Sequence, residues 1–129
     1  MLALCLLLLV SAAPSTCTLP TLMLRTEAQP RTKTFAAAAK RFDQATADWK
    51  KRRFPEAARA FLEASALFAS DGAEGNWKYA LQNAVMAFEA AGRLDEAGAA
   101  LEAWASNDAV HAEALRAAAA KLVSRVGCR

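Results

Sequence analysis

Between Asn76 and Trp104, large apolar side chains recur twice at helical spacing, with a turn between the two stretches. Trp77, Leu81, Val85 and Phe88 follow at intervals of four, four and three, and Ala84 and Ala91 widen the stripe. That period lays one face of a helix against a neighbour. Gly92 comes next, a residue that enters the left-handed conformation of a helix C-terminus without steric cost. Leu94, Ala97, Leu101 and Trp104 restore the stripe on a second helix, whose first turn carries Asp95 and Glu96, where negative charge suits the helix dipole. The pattern predicts a helix hairpin on which the rest of the chain packs, with Phe61, Trp77, Phe88 and Leu101 in the core.

The flanking stretches carry the same period. Thr32 or Thr34 can cap a helix in which Phe35, Phe42 and Trp49 stand seven apart, with Ala38, Ala39 and Ala45 between them. Pro55 suits the first turn of the next helix, where a missing N–H costs nothing, and Phe61, Ala64, Ser65 and Phe68 continue its apolar face. Ser70 to Gly75 forms the longest internal break, with Asp71 or Asn76 as cap of the helix that follows. Ser106-Asn107-Asp108 offers another cap. After it, Ala109 to Val126 predicts a fifth helix with Leu115, Ala118, Leu122 and Val126 on one side and His111, Arg116, Lys121 and Arg125 on the other. No run alternates apolar with polar residues over strand length, so the fold class is all-α: antiparallel helix hairpins stacked in series, closed by a C-terminal helix that turns a polar back to water.

The hairpins repeat one another. Arg53-Phe54-Pro55-Glu56-Ala57 aligns with Arg93-Leu94-Asp95-Glu96-Ala97, and Ala60 and Phe61 align with Ala100 and Leu101, at a constant offset of 40 residues. Phe88, Gly92, Ala97 and Leu101 stand at the spacing aromatic-x3-Gly-x4-Ala-x3-apolar, while the first copy has Arg52 in place of the turn glycine. On these residues the stretch Phe35 to Trp104 resembles two degenerate tetratricopeptide repeats, a family of helix-turn-helix units. The resemblance implies a short solenoid that binds other proteins. Two hairpins and a closing helix are near the smallest such array, so a second copy or a larger complex could supply a missing neighbour.

Ahead of the helices, Leu2 to Val10 is an uninterrupted apolar run followed by Ser11-Ala12-Ala13-Pro14-Ser15-Thr16. It is too short to span a bilayer of about 30 Å and fits the apolar part of a secretory signal, although no Lys or Arg precedes it. The expected organisation is a signal-like segment at 1–16, a linker at 17–33 rich in proline, threonine and charge, and a helical domain at 34–129. Loss of Cys5 with the signal leaves Cys17 and Cys128. Three readings of them stay open: a disulfide between the two ends of the domain, a lipid anchor on Cys17, or two unpaired thiols. Export to a periplasm or the extracellular medium is the expectation, with membrane attachment only through the N-terminal segment.

The net charge of +3 is unevenly divided, since Arg25 to Arg53 holds nine basic and three acidic residues and Phe54 to Arg129 holds seven and ten. Lys50-Lys51-Arg52-Arg53 falls at a predicted helix end, where cations face the exposed carbonyls. No aromatic residues interleave with it, so a solvated helix end outweighs a nucleic-acid surface. The residues of catalysis are scarce. His111 is the single histidine, with no cysteine or second histidine at ligand spacing, and is expected on the surface. No phosphate-binding loop, dinucleotide glycine pattern or nucleophile elbow is present. Neither an enzyme nor a cofactor nor a metal is expected.

What remains is the side of the helix after Asn76 that its hairpin does not need. Lys78, Tyr79, Gln82, Asn83, Met86 and Glu89 lie away from Trp77, Leu81 and Phe88 and combine hydrogen-bonding groups with a pliable thioether. In tetratricopeptide arrays the first helix of each pair lines the binding groove, so the resemblance assigns Tyr79, Gln82, Asn83 and Met86 to it. Asn83 then stands where some members hold a peptide backbone or carboxylate. Asp43 and Thr46 occupy comparable places in the first copy, so the clamp for a free C-terminus is incomplete. The expectation is an exported module that binds a protein or peptide segment. Its alternative is a structural helical bundle tethered to the membrane by its N-terminus.

Overall fold

The computed structural model describes residues 22–25 and 32–125. Among them five helices follow one another without a strand: α1 (Lys33–Lys50), α2 (Phe54–Ser70), α3 (Glu74–Ala90), α4 (Leu94–Asn107) and α5 (Ala112–Arg125). The fold is all-α, a stack of helix hairpins. The signal-like segment 1–16, all three cysteines and Val126 lie outside the described residues.

One turn is used three times. Arg52, Gly72 and Gly92 lie 20 residues apart and have φ values of 60°, 76° and 70°. After each, a backbone N–H reaches back to a carbonyl in the last helical turn: Arg53 to Asp48 at 2.9 Å, Ala73 to Phe68 at 3.0 Å and Arg93 to Phe88 at 2.8 Å. The turn residues themselves donate to Trp49, Ala69 and Glu89 at 3.0, 3.1 and 3.0 Å. This pair of bonds is the Schellman closure, which satisfies carbonyls that the helix leaves open. The expectation of a long break at Ser70 to Gly75 is therefore wrong, because Gly72 closes the second turn as tightly as its counterparts. Neither Asp71 nor Asn76 caps α3. Its N-cap is Ala73, with no side-chain bond; Asp71 accepts a hydrogen bond from the Thr32 hydroxyl, and Asn76 is buried. Thr32 caps α1, its Oγ1 accepting the Phe35 N–H at 2.9 Å.

The centre of the stack is α2, not the hairpin of α3 and α4. Ala57, Ala58, Ala60, Phe61, Ala64, Ser65, Phe68 and Ala69 of α2 are all buried. These mostly small side chains let α1 and α3 approach α2 along their lengths. Between α3 and α4 the side chains are bulkier, Trp77 meeting Trp104 edge-on at 6.1 Å, and the two helices pass less closely. Aromatic rings lock α1 to α2: Phe42 stands edge-on to Phe61 at 5.2 Å, and Phe35 to Phe68 at 5.3 Å. A buried hydroxyl joins α2 to α3, Ser65 donating to the Trp77 carbonyl at 2.6 Å. Phe61, Trp77, Phe88 and Leu101 are all in the core, as the periodicity predicts.

Helix α5 closes the stack through buried Leu115 and Leu122. At the corner before it, the Trp104 indole and the His111 ring both reach Asp108 Oδ2, at 3.1 and 2.8 Å. His111 is not the surface residue expected. Its ring packs edge-on against Trp77 at 5.0 Å, and its side chain is only 12% exposed.

Candidate functional site

The face assigned to binding lies on α3, and the structure divides it. Gln82 is exposed and Tyr79 half-buried, whereas Asn83 and Met86 are 1% and 2% exposed. The expectation of an open polar face thus fails at two of its four residues. Two neighbours cause this. Met86 lies on a wall that α3 shares with α5, and Asn83 is covered by the segment Leu22–Arg25, which the sequence pattern places in a linker.

Asn83 binds that segment through its backbone. Its Oδ1 accepts the Met23 N–H at 2.9 Å, and its Nδ2 donates to the Met23 carbonyl at 3.1 Å. The N–H and C=O of one residue point to the same side only where the chain is extended, so the amide takes the place of a neighbouring strand. Two residues further on, Arg25 reaches α1, where Nε and Nη2 donate to Oδ1 and Oδ2 of Asp43, each at 3.2 Å. Asp43 and Asn83 stand at the repeat offset of 40, each the same distance ahead of its turn residue, Arg52 or Gly92. Equivalent positions of the two repeats therefore hold successive parts of one extended segment. Leu22 packs against the core beneath, and Leu24 is 80% exposed.

The same side of the molecule continues past this segment. Trp77, Leu81, Val85 and Met86 of α3 face Ala114, Ala118 and Leu122 of α5 across a hollow of about 470 Å³, with Lys78, Gln82 and Lys121 also lining it. On α1 a second hollow of about 530 Å³ is lined by Arg25, Phe35, Ala39, Asp43 and Ala47. These are concave, largely apolar surfaces with a few polar groups, suited to recognition of a chain or an apolar side chain. Lys50 to Arg53 is exposed at the end of α1, away from this arrangement in sequence and solvated as expected of a helix end. Among the described residues no three His, Cys, Asp or Glu side chains gather as a metal site would need, and no helix is long and apolar enough to cross a membrane.

Sequence reasoning selected Asn83 and noticed Asp43 but missed Met23 and Arg25. The available signal was the run Leu22-Met23-Leu24, apolar in the middle of a stretch of proline, threonine and charge. Comparison of the chain with protein-family models, curated proteins and solved structures gives no match.

Proposed function

We propose that the chain is an exported, tetratricopeptide-like interaction module that takes an extended segment of a partner protein on the side formed by α1, α3 and α5. The observation that carries this reading is the pair of bonds from Asn83 to the Met23 backbone, across 60 residues of sequence. An amide that reads N–H and C=O together accepts a chain whatever its side chain, which is how strand-like peptides are bound. The 40-residue repeat and the turn recurring at Arg52, Gly72 and Gly92 support the repeat architecture. The apolar run Leu2 to Val10 supports export.

The test begins with a photoreactive residue in place of exposed Gln82, crosslinked in the native cell, and identification of the crosslinked segment. A synthetic peptide of that segment is then titrated against wild type and Tyr79→Ala. Saturable binding that weakens in a variant of unchanged melting temperature supports the module. A crosslinked peptide that does not bind rejects it. The intact mass of the mature protein reports signal cleavage, lipid and disulfide together, and a full-length mass in the cytosolic fraction would reject export.

A further inference from the structure

We propose that the face across α1 and α3 is a receptor for an extended, arginine-bearing segment of a partner, and that Leu22–Arg25 occupies this receptor in cis and has to leave before the partner enters. The proposal rests on the interaction-module reading and adds to it the chemistry of the ligand and its regulation. The contacts of the resident segment define that chemistry. Asn83 requires an extended residue with a free N–H and C=O, and Asp43 offers a carboxylate two residues later to a forked guanidinium. Leu22 adds an apolar contact ahead of the clamped residue.

The segment is held by contacts that another chain could replace. Every residue of the buried core cluster belongs to the helices or the turns between them, and Leu22 only borders it. The Arg25–Asp43 pair is open to solvent on the Asp43 side, where the side chain is 63% exposed. Exposed pairs of this kind select a partner more than they hold it. What favours the resident segment is connectivity, because only residues 26–31 separate Arg25 from the cap of α1. A short tether gives an effective concentration on the order of millimolar. A free segment of equal intrinsic affinity is then disfavoured by the small fraction of receptor open at any moment. Anything that draws Leu22–Arg25 away would raise affinity for the partner without touching the receptor.

The experiment uses the full chain and a capped, fluorescein-labelled peptide with the sequence of residues 21–26, Thr-Leu-Met-Leu-Arg-Thr. Its anisotropy is followed on titration with wild type and with the release variant Leu22→Ser/Arg25→Ala. The release variant should bind the peptide about tenfold more tightly or better, as removal of an internal competitor predicts. In that background Asp43→Arg, on an exposed helix surface, should weaken binding by a similar factor and favour a peptide in which glutamate replaces the arginine. Equal affinity for wild type and release variant would overturn the in-cis competition while leaving groove binding in place. Tighter binding to the release variant that ignores Asp43→Arg would overturn the arginine preference. Absence of binding to both folded proteins, checked by circular dichroism, would overturn the receptor and the interaction-module reading together.

Discussion

Arg52 and Gly92 hold the same turn, with φ of 60° and 70° at equivalent places 40 residues apart, though only one of them is glycine. A side chain in the left-handed region crowds its own carbonyl, at roughly 1 kcal/mol or more. Arg52→Gly should therefore stabilise the protein by about 0.5 to 1 kcal/mol, partly offset by the greater freedom of glycine in the unfolded chain. The converse change, Gly92→Ala, should destabilise by about 1 kcal/mol. A Cβ at Gly92 meets nothing within 4 Å, so that loss would be conformational and not steric. Urea melts of the two variants check both signs.

Phe61→Ala should be among the costliest single substitutions. Phe61 is fully buried on α2 and packs edge-on against Phe42, so truncation leaves a cavity at the centre of the stack. The expected loss is about 3 to 5 kcal/mol, against less than about 1 kcal/mol for Tyr79→Ala on the half-buried face of α3. Equal shifts in melting temperature would show that α2 is not the centre.

Asn83→Ala should act on Leu22–Arg25 more than on the helices. It removes both bonds to Met23, at about 1 to 2 kcal/mol, and frees the backbone on either side. The bond after Arg25 should then be cut by trypsin several times faster, with helix content unchanged. Cleavage at the wild-type rate would mean that the amide does not hold the segment.

The corner between α4 and α5 should weaken in acid. Burial pushes the Asp108 carboxyl up, but the His111 ring, the Trp104 indole, the His111 backbone N–H and the attraction of a charged imidazole together hold it below its ordinary value of 3.8. A carboxylate depressed in the folded state contributes stability that is present above the unfolded value and is lost as pH falls through the folded one. Melting temperature should therefore drop below about pH 4, and Asp108→Asn should flatten that drop while lowering stability at neutral pH. Parallel melting curves for the two proteins from about pH 6 to about pH 2 would exclude Asp108 as the cause.

Helices, turns and much of the core were legible in the chain because each rests on local arithmetic. The apolar stripes of α1 to α5 repeat within a few turns, Pro55 marks a helix start, and Gly92 marks a helix end. The equivalence of Arg52 with Gly92 was also visible, since it follows from the repeat offset alone. The turn at Gly72 was not. Its neighbours Ser70, Asp71 and Gly75 are loop-forming in isolation, and the closure depends on one glycine taking the left-handed conformation.

Only the tertiary structure decided which side of α3 is covered and which helix is central. Helical periodicity separates an apolar face from a polar one, and it placed Asn83 correctly among the polar residues. It carries no information about a polar residue buried by a segment 60 positions away, because that burial comes from a long-range contact with Met23 and not from any pattern on the helix. The centrality of α2 has the same origin. Its alanines and the tryptophans between α3 and α4 were plain in the sequence, but the spacing they set between helices exists only once the neighbours are packed side by side.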